Sequence, residues 1–510
     1  MIDYEYHING DIAQSFQNYW VVSGDTQYFK DNLFPIVNSI ATFYSAIVVK
    51  NGSVYTLSNM TDPDEFADHV DNGGFTMPLI SETLTNTNIF REMFGIGANA
   101  TFRDIADNIF ISKNADAGII EEYTGMPGNI SVKQADVVLD VFPLNWQKDY
   151  TRANGLADLQ YYAGKQSLDG PGMTYSTFSI VSSAVDVAGC SSYTYQQWSE
   201  QPYARAPWFQ FSEQLLDNFQ INGGFHPAYP FLTGHGGYNQ VTLFGYLGLR
   251  LTPDFTLHIE PSLPPQIPNL RYRTFYWHGW PISAIANQTH TTITRLDVPH
   301  LSTAETAFAE TYIPVQIGNN APTTYQLQPF GTLTFANRNI ASNQAVQGNI
   351  AQCLPVTSPD GFQPGQFPFA AVDGAGYTKW VPNFSNKTQS ITVELQTQPF
   401  QPISSFYFDW AQNPPSKFTV LFHNTSSQDG AVTVVSENVE ISVRYDPTLV
   451  AEITPYMSNT TNVTLSPPVW SGKYATLQIL GNQVSNLTNT TGASVAEWAI
   501  IGSAGKKLKI

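Results

Sequence analysis

The hydrophobic pattern changes its period near Leu251, and this change constrains the fold more than any other feature of the sequence. Before it, apolar residues recur at the spacing of one helix face. An example of that spacing is the series Leu33, Ile36, Val37, Ile40 and Tyr44. After it, apolar and polar residues alternate, as in 256–260, 270–277 and 291–296, which is typical of strands. We therefore expect a multidomain α + β protein, helical first and β-rich second.

The order of these patterns predicts four segments. Helices are expected at 74–94, 101–111, 133–142, 148–166, 172–187, 194–203 and 238–248, with long connections such as 112–132 and 204–237. Paired helices with long loops at one end indicate an α/α toroid whose loops build the active site. The predicted boundaries are 1–252 for this helical domain, 253–344 for a small β-sandwich, 345–370 for a Pro-rich linker and 371–510 for a second β-rich module.

Composition and charge exclude several classes of partner. The chain has 510 residues, 42% of them hydrophobic and only 13% charged, which suits a globular protein that handles carbohydrate outside the cytosol. Its net charge of −18 repels nucleic acid and anionic membranes. No apolar run is long enough to predict a transmembrane helix. We expect neither nucleic acid nor a membrane as partner.

Sequons favour a secretory route. Twelve asparagines stand in Asn-x-Ser/Thr, roughly twice the number that the Ser and Thr content predicts, and chance in Thr-rich β-structure is the alternative. They are Asn51, Asn59, Asn99, Asn129, Asn287, Asn383, Asn386, Asn424, Asn459, Asn462, Asn486 and Asn489. Cys190 and Cys353 allow one disulfide at most, and the sequence does not say whether they pair. The first residues do not resemble a signal peptide, so we expect a longer precursor.

Five carboxylates in ten residues, Asp62, Asp64, Glu65, Asp68 and Asp71, form the most acidic segment of the chain. Their mutual repulsion would raise the pKa of whichever is most buried, as a general acid requires. A solvated acidic turn is the alternative, and the spacing of acids leaves both open. Phe66 stands where an EF-hand loop needs a ligand, so a calcium loop of that kind is excluded.

Four segments in order resemble glycoside hydrolase family 65. They are YHINGDIAQSF at 6–16, DPDEF…HVDNGGFT at 62–76, KQADVV at 133–138 and LTGHGGYNQVTLFGYLGLRL at 232–251. The resemblance covers roughly 1–340 and implies the second half of an (α/α)6 toroid followed by a small β-sandwich. That family contains disaccharide phosphorylases and hydrolases, and MTDPDEFADHVDNG with the long C-terminal extension looks most like its acid trehalases.

The resemblance also implies roles for particular residues. Glu65 takes the place of the general acid, and Lys133 and Gln134 take that of residues binding the cleaved glucose, with Asp64 and His235 also at the substrate site. PWFQFSEQ at 207–214 is similar to the segment that carries the base of the hydrolases, which makes Glu213 the general base. The implied reaction is hydrolysis of α,α-trehalose with inversion, without metal or organic cofactor.

Three alternatives stay open. A phosphorylase would use phosphate as nucleophile and need no protein base, so the role of Glu213 discriminates the two. Another α-glucoside, such as kojibiose, could replace trehalose. The chain could also be an inactive glycan-binding protein that uses 371–510.

The C-terminal module has its own resemblance. AVDGAGYTKWVP at 371–382 opens a segment similar to F5/8 type C (discoidin-like) domains, which form a jelly-roll sandwich and often bind sugars or cell walls. Family 65 enzymes carry further N-terminal segments, so residue 1 would fall inside the toroid, and the missing half is an expected partner. The expected location is extracellular, in the cell wall or periplasm, or vacuolar.

Overall fold

The chain has a mixed α/β multidomain fold. The computed structural model describes residues 3–318, 323–340, 342–395, 401–441, 450–484 and 492–502. Helices dominate up to residue 246 and strands dominate after it, so the change of period near Leu251 marks the observed change of structure.

The helices of the described ranges lie mostly where the apolar spacing predicts them. They are α1 (His7–Ser23), α2 (Thr26–Tyr28), α3 (Phe34–Ile47), α4 (Thr76–Met93), α5 (Ala100–Asp107), α6 (Arg152–Ala163), α7 (Thr174–Val185), α8 (Ser191–Glu200) and α9 (Leu232–Gln240). Single π turns at Phe29–Leu33 and Val241–Tyr246 precede α3 and extend α9. The helix expected at 133–142 is only a 3-10 turn at Val137–Asp140, because 132–136 is held extended by contacts described below.

In helix α3, most of the predicted apolar stripe is buried. Pro35 stands in its first turn, where its missing N–H costs nothing. Val37, Ile40 and Tyr44 are buried against α1 and α4, and the Tyr44 hydroxyl accepts from the backbone N of Gly10 at 2.7 Å. Ile36, a member of the same stripe, faces outward and is 45% exposed.

Strands fill the second half of the chain. Those before residue 340 are β1 (Val49–Asn51), β2 (Val54–Thr56), β3 (Lys113–Asn114), β4 (Ile119–Ile120), β5 (Ala204–Arg205), β6 (Gln210–Phe211), β7 (Leu257–Ile259), β8 (Asn269–Arg271), β9 (Phe275–Trp277), β10 (Trp280–Asn287), β11 (His290–Arg295), β12 (Ile313–Ile317), β13 (Thr323–Leu327) and β14 (Thr332–Ala336). Those after it are β15 (Val356–Thr357), β16 (Gln389–Glu394), β17 (Pro402–Asp409), β18 (Lys417–His423), β19 (Val432–Asn438), β20 (Thr460–Trp470), β21 (Tyr474–Leu480) and β22 (Glu497–Gly502).

The strands β1-β2, β3-β4 and β5-β6 form short two-stranded sheets in the helical half, and the remaining strands form two pairs of sheets. The first pair has the orders β14-β11-β10-β8, with β9 beside β10, and β13-β12-β7. The second has the orders β15-β16-β21-β18-β19 and β20-β17-β22. The alternation of apolar and polar residues in the C-terminal module also predicts a strand at 438–444, of which residues 442–444 lie outside the described ranges.

Two apolar cores divide the molecule. One runs through the helices and the sheets of 257–336 and also takes in Ala375 and Tyr377. The other fills the space between the two C-terminal sheets, from Ala351 to Ile500. The helical unit and the first β-unit are thus built as one packed body, and the C-terminal module joins it with a core of its own.

The segment 345–370, predicted as a linker, packs against both bodies. Its strand β15 pairs with β16 of the C-terminal module. Cys353 forms a disulfide with Cys190, which stands at the start of α8, and the two Cα atoms are 6.1 Å apart. The segment therefore fastens the C-terminal module to the helical unit.

Two surface properties bear on the expected cell compartment. Of the sequon asparagines, Asn459 is 2% exposed and donates to the carbonyl of Ala411, so a glycan there would require local unfolding. The other nine in the described ranges are at least partly exposed, while Asn486 and Asn489 lie outside those ranges. Among the described residues, no helix has the length and apolarity to cross a bilayer.

Candidate active site

The acidic segment folds into a closed loop in front of α4. Met60 and Val70 exchange backbone hydrogen bonds of 2.9 Å, and Ala67 N donates to the Asp64 carbonyl at 2.8 Å. Asp62 is buried at the base of this loop, where it accepts from Thr76 N at 3.1 Å and Phe75 N at 3.3 Å. A carboxylate at these first N–H groups of a helix is stabilised by them and fixes the loop on α4.

Asp64 and Glu65 point to opposite sides of that loop. Asp64, which the resemblance implies at the substrate site, lies beneath the loop and is 1% exposed. It accepts from Lys133 N at 2.8 Å, and its own backbone N donates to Asp136 at 2.9 Å. Asp64 is thereby occupied in fixing the 133–136 segment, while Glu65 stays on the open side.

Two further predicted residues contact the loop that carries Glu65. Its carboxylate pairs with the Lys133 ammonium, and the two side chains keep 32% and 24% of their exposure. Gln134 donates from Nε2 to the carbonyl of Pro63. Segments 68 residues apart in sequence are thus brought together, with one anion and one cation facing solvent side by side.

Beneath Glu65 and Lys133 lies a group of buried carboxyls, two of which the sequence analysis did not identify. Burial, followed by the charge of Asp64, raises the pKa of Glu122 well above its usual range. Burial, followed by the charge of Asp62, does the same to the pKa of Asp136. Both carboxyls are thereby shifted toward the protonated form, which limits the repulsion among these buried acids.

The sequence carries a weak signal for these two missed residues. Asp136 belongs to the KQAD stretch itself, and Glu122 is the second residue after the buried strand β4. A carboxylate after a buried strand is unusual enough to mark an interior position. Within the described ranges, no group of His, Cys, Asp and Glu side chains is arranged to hold a metal ion.

Glu213 lies on a second loop. It follows β6, its carbonyl accepts from Gly172 N at 2.7 Å, and its carboxylate accepts from Ala228 N at 2.7 Å. The 170–172 turn also touches the other candidate segment, since a Cβ at Gly170 would collide with the carbonyl of Lys133. Lys133 and Glu213 therefore flank one turn, which connects the two carboxylate-bearing loops.

His235 supports the backbone that leads to Glu213. Its Nε2 accepts from Phe211 N at 3.0 Å, and its ring stacks on the Phe211 ring with centroids 4.5 Å apart. An imidazole that accepts at Nε2 carries its proton on Nδ1. The predicted site residues thus form two groups, Asp64, Glu65, Lys133 and Gln134 on one side and Glu213 and His235 on the other.

Two segments of the chain match models of one protein family. Residues 2–129 match the glycosyl hydrolase family 65 central catalytic domain and residues 249–301 match the family 65 C-terminal domain. The chain is 53% identical to the cell wall acid trehalase of Arthroderma benhamiae and 51% identical to the acid trehalase of Emericella nidulans, over 98% of its own length in each case. It spans about half the length of these curated relatives, 50% and 49%.

Among solved structures, one assigned as a kojibiose phosphorylase from the human microbiome aligns with 66% of this chain and 47% of its own, at a TM-score of 0.48 and 13% identity. The chain is thus similar, in two segments, to the central and C-terminal domains of glycoside hydrolase family 65 and, over 98% of its length, to two fungal acid trehalases.

Proposed function

We propose that the chain provides the acid–base machinery of an acid trehalase, which hydrolyses α,α-trehalose to two glucose molecules with inversion. The observation that carries this proposal is the pairing of Glu65 with Lys133 at the open side of one loop, with the buried Gln134 bonded to the Pro63 carbonyl of the same loop. High identity to acid trehalases over nearly the whole chain supports the substrate.

Each residue has a role in the proposed reaction. Glu65 protonates the glycosidic oxygen, and Glu213 deprotonates the water that attacks the anomeric carbon from the other face. Lys133 and Gln134 hold the hydroxyls of the cleaved glucose. Asp64 acts through Lys133, whose backbone it fixes, and His235 acts through the backbone of Phe211.

The geometry required by inversion is specific. The two carboxyl groups should be about 6.5–9.5 Å apart in the substrate complex, which leaves room for one water molecule. The shared 170–172 turn supports this, because it links both loops through single contacts. Substituting Glu213 by Gln keeps an acceptor for Ala228 N while removing the base, so the loop stays in place and hydrolysis is lost.

Architecture and location complete the proposal. Residues 1–252 form the second half of an (α/α)6 toroid, 253–344 form its β-sandwich, and 371–510 form an F5/8 type C jelly roll that binds cell-wall glycan. An extracellular location is supported by the Cys190–Cys353 disulfide, since such bonds persist in oxidising compartments, and by the exposed sequons. The cell-wall location of the relative from Arthroderma benhamiae points the same way.

The test is proton NMR of trehalose in mildly acidic buffer, with and without phosphate. Since the relatives are about twice as long, a second sample contains the N-terminal half of the Emericella nidulans enzyme added in trans. Equal initial release of α- and β-glucose without phosphate is expected. Turnover that requires phosphate would replace the hydrolase by a phosphorylase, and no turnover in either sample would overturn the proposal.

A further inference from the structure

A cavity of about 470 Å³ lies between the helical unit and the C-terminal module. Its walls come from the ends of α6, α7 and α8, from 214–216, and from 363–366 and 376–381 on the side of the C-terminal module. Its size falls within the roughly 300–1,000 Å³ of small-molecule sites, which favour interfaces between domains. It borders the candidate active site at Gln214, the residue after Glu213, but none of Glu65, Lys133, Gln134 and Glu213 lines it.

One wall is a rigid set of aromatic rings. Tyr175 stacks on Trp198 with centroids 4.1 Å apart and planes 12° apart, and Tyr195 lies nearly parallel to Trp198 and to Tyr377. All four rings line the cavity. Because each ring is held by its neighbour, the wall keeps its shape and is prepared for a ligand rather than formed by it.

The opposite wall is rich in neutral amides. Gln166, Gln214, Gln363, Gln366, Gln412 and Asn413 all line the cavity. Each amide offers two donors and an acceptor, the set that sugar hydroxyls require. Charges are few, one anion at Asp169 and one cation at Lys379, and the Lys379 ammonium already donates to Gln412 at 2.9 Å.

Two buried polar atoms in lining residues have no partner among the described residues. They are the indole N–H of Trp198 and the side-chain oxygen of Gln366. Both belong to side chains that line the cavity, and the indole nitrogen of Trp198 lies against Gly365, where an added Cβ would come within 2.1 Å of it. Helix α8 and the 363–366 segment are therefore in direct contact at this part of the cavity.

Apolar side chains stand at the mouth. Leu168 and Leu216 line the cavity and are 77% and 46% exposed. Exposed leucines beside amides match a ligand with apolar C–H faces and a rim of hydroxyls. A charged ligand fits less well, since a single cation already paired with Gln412 would have to neutralise it.

We propose that this interface cavity binds a neutral oligosaccharide of two or three hexose units, at a site separate from the one that cleaves trehalose. Binding there joins the helical unit and the C-terminal module through one ligand, because both contribute walls. Binding of the oligosaccharide is independent of trehalose hydrolysis, so a binding measurement tests it directly.

The test measures binding of maltotriose and laminaritriose by titration calorimetry and by saturation-transfer NMR, in a Glu65→Gln background that prevents cleavage. The double variant Trp198→Phe/Gln366→Leu keeps an aromatic ring in the stack and nearly the volume of Gln366, but it removes part of the indole surface and the amide that line the cavity. The matched control is Trp498→Phe/Gln389→Leu, whose indole N–H and amide oxygen are likewise buried and unpaired in the described chain but lie outside the cavity. We expect saturable binding that weakens at least tenfold in the cavity variant and is unchanged in the control.

Hydrogen exchange on the parent protein covers the case in which the cavity variant does not fold. Sugar should then protect 195–198 and 363–366. A further variant, Gly164→Tyr, blocks the cavity from a position where an added Cβ meets nothing closer than 3.5 Å. Equal binding by cavity variants and control, protection confined to 62–66 and 213, or no saturable binding of either sugar at millimolar concentration would each overturn the proposal.

Discussion

The 62–66 loop and the contact around Asp373 both bury several carboxyls, but they use them differently. At the loop, Asp62, Asp64 and Asp136 fix the backbone from below, and Glu65 is left partly exposed beside a lysine. At the Asp373 contact, the carboxyls lie wholly between the helical unit and the C-terminal module. The first arrangement aims a reactive group outward, and the second leaves none for chemistry.

Hydrogen bonds show how the Asp373 contact is closed. Asp373 accepts from Thr194 on α8 at 2.5 Å and from Thr378 at 2.7 Å, and Cys190 N donates to its carbonyl at 2.8 Å. Gly189 stands at φ +92°, and a Cβ there would collide with that carbonyl. A cluster of acidic residues therefore does not by itself indicate an active site. The distinguishing feature is a carboxylate that stays exposed to solvent on a backbone that buried groups hold in place.

The largest expected effect is on the exposed carboxylate of the loop. Glu65→Gln should lower trehalose hydrolysis about 10³-fold or more, because an amide cannot protonate the leaving oxygen. Stability should change little, because the lost ion pair with Lys133 is partly solvent-exposed. Initial rates by glucose release and the melting temperature measure the two effects.

Glu92→Gln is the control for that variant, since Glu92 is an exposed glutamate on α4 with a loose 3.7 Å ion pair to Arg103. It should retain full activity. If Glu65→Gln kept more than a tenth of the parent rate, the proton donor would have to be another group.

The second prediction concerns the disulfide bond that joins the helical unit to the C-terminal module. Cys190→Ser/Cys353→Ser opens a loop of 163 residues, and chain entropy then lowers the free energy of unfolding by about 3–5 kcal/mol. Chemical denaturation, followed separately by probes in each core, measures this loss. A reducing agent should destabilise the parent but not the double variant, and equal stability of the two proteins would show that the disulfide does not fasten the module.

Sequence patterns predicted the helices well where one face is apolar. The spacing of Val37, Ile40 and Tyr44 gave α3, because burial of that stripe decides the local structure. The same reasoning placed a helix at 133–142, where backbone contacts to Asp64 and Thr174 hold residues 133 and 135 instead. Periodicity does not register hydrogen bonds to distant segments, and the predicted helix was wrong for that reason.

From the sequence, the candidate site could be predicted only as separate motifs. Glu65, Lys133 and Gln134 were identified by resemblance, and the structure brings them together. The burial of Asp64 beside Glu122, whose pKa burial raises, depends on packing between segments more than 50 residues apart, which no local pattern encodes. The Cys190–Cys353 pairing was open for the same reason.

The third prediction uses the pH dependence of the Asp373 contact. Burial raises the pKa of Asp373 to about 8, against about 3.9 in an unfolded chain. The folded state then binds more protons between these values, so stability is complete in acid and falls as the pH rises from about 4 to about 8. Asp373→Asn should remove that part of the slope and leave the variant roughly 4–5 kcal/mol more stable than the parent at pH 8, with little difference at pH 4.

Denaturant unfolding at several pH values tests this directly. Glu497 and Asp186 face the same contact, with pKa values also raised by burial, so part of the slope should remain in the variant. Parallel stability curves for variant and parent would mean that Asp373 is ionised in the folded protein. The interface would then hold a buried charge instead of a neutral acid.

The smallest expected effect distinguishes support of the active-site loop from contact with substrate. His235→Ala leaves the buried N–H of Phe211 without its acceptor, which should cost about 1 kcal/mol of stability and lower kcat severalfold by loosening the approach to Glu213. His235→Gln offers an amide oxygen to the same N–H and should restore most of both, whereas a histidine that binds the sugar would not be replaced in this way. Rescue of kcat by Gln with KM unchanged supports a positioning role. A rise of KM in both variants would place His235 against the substrate, and the exposed loop would then contain more of the binding site than its contacts in this structure indicate.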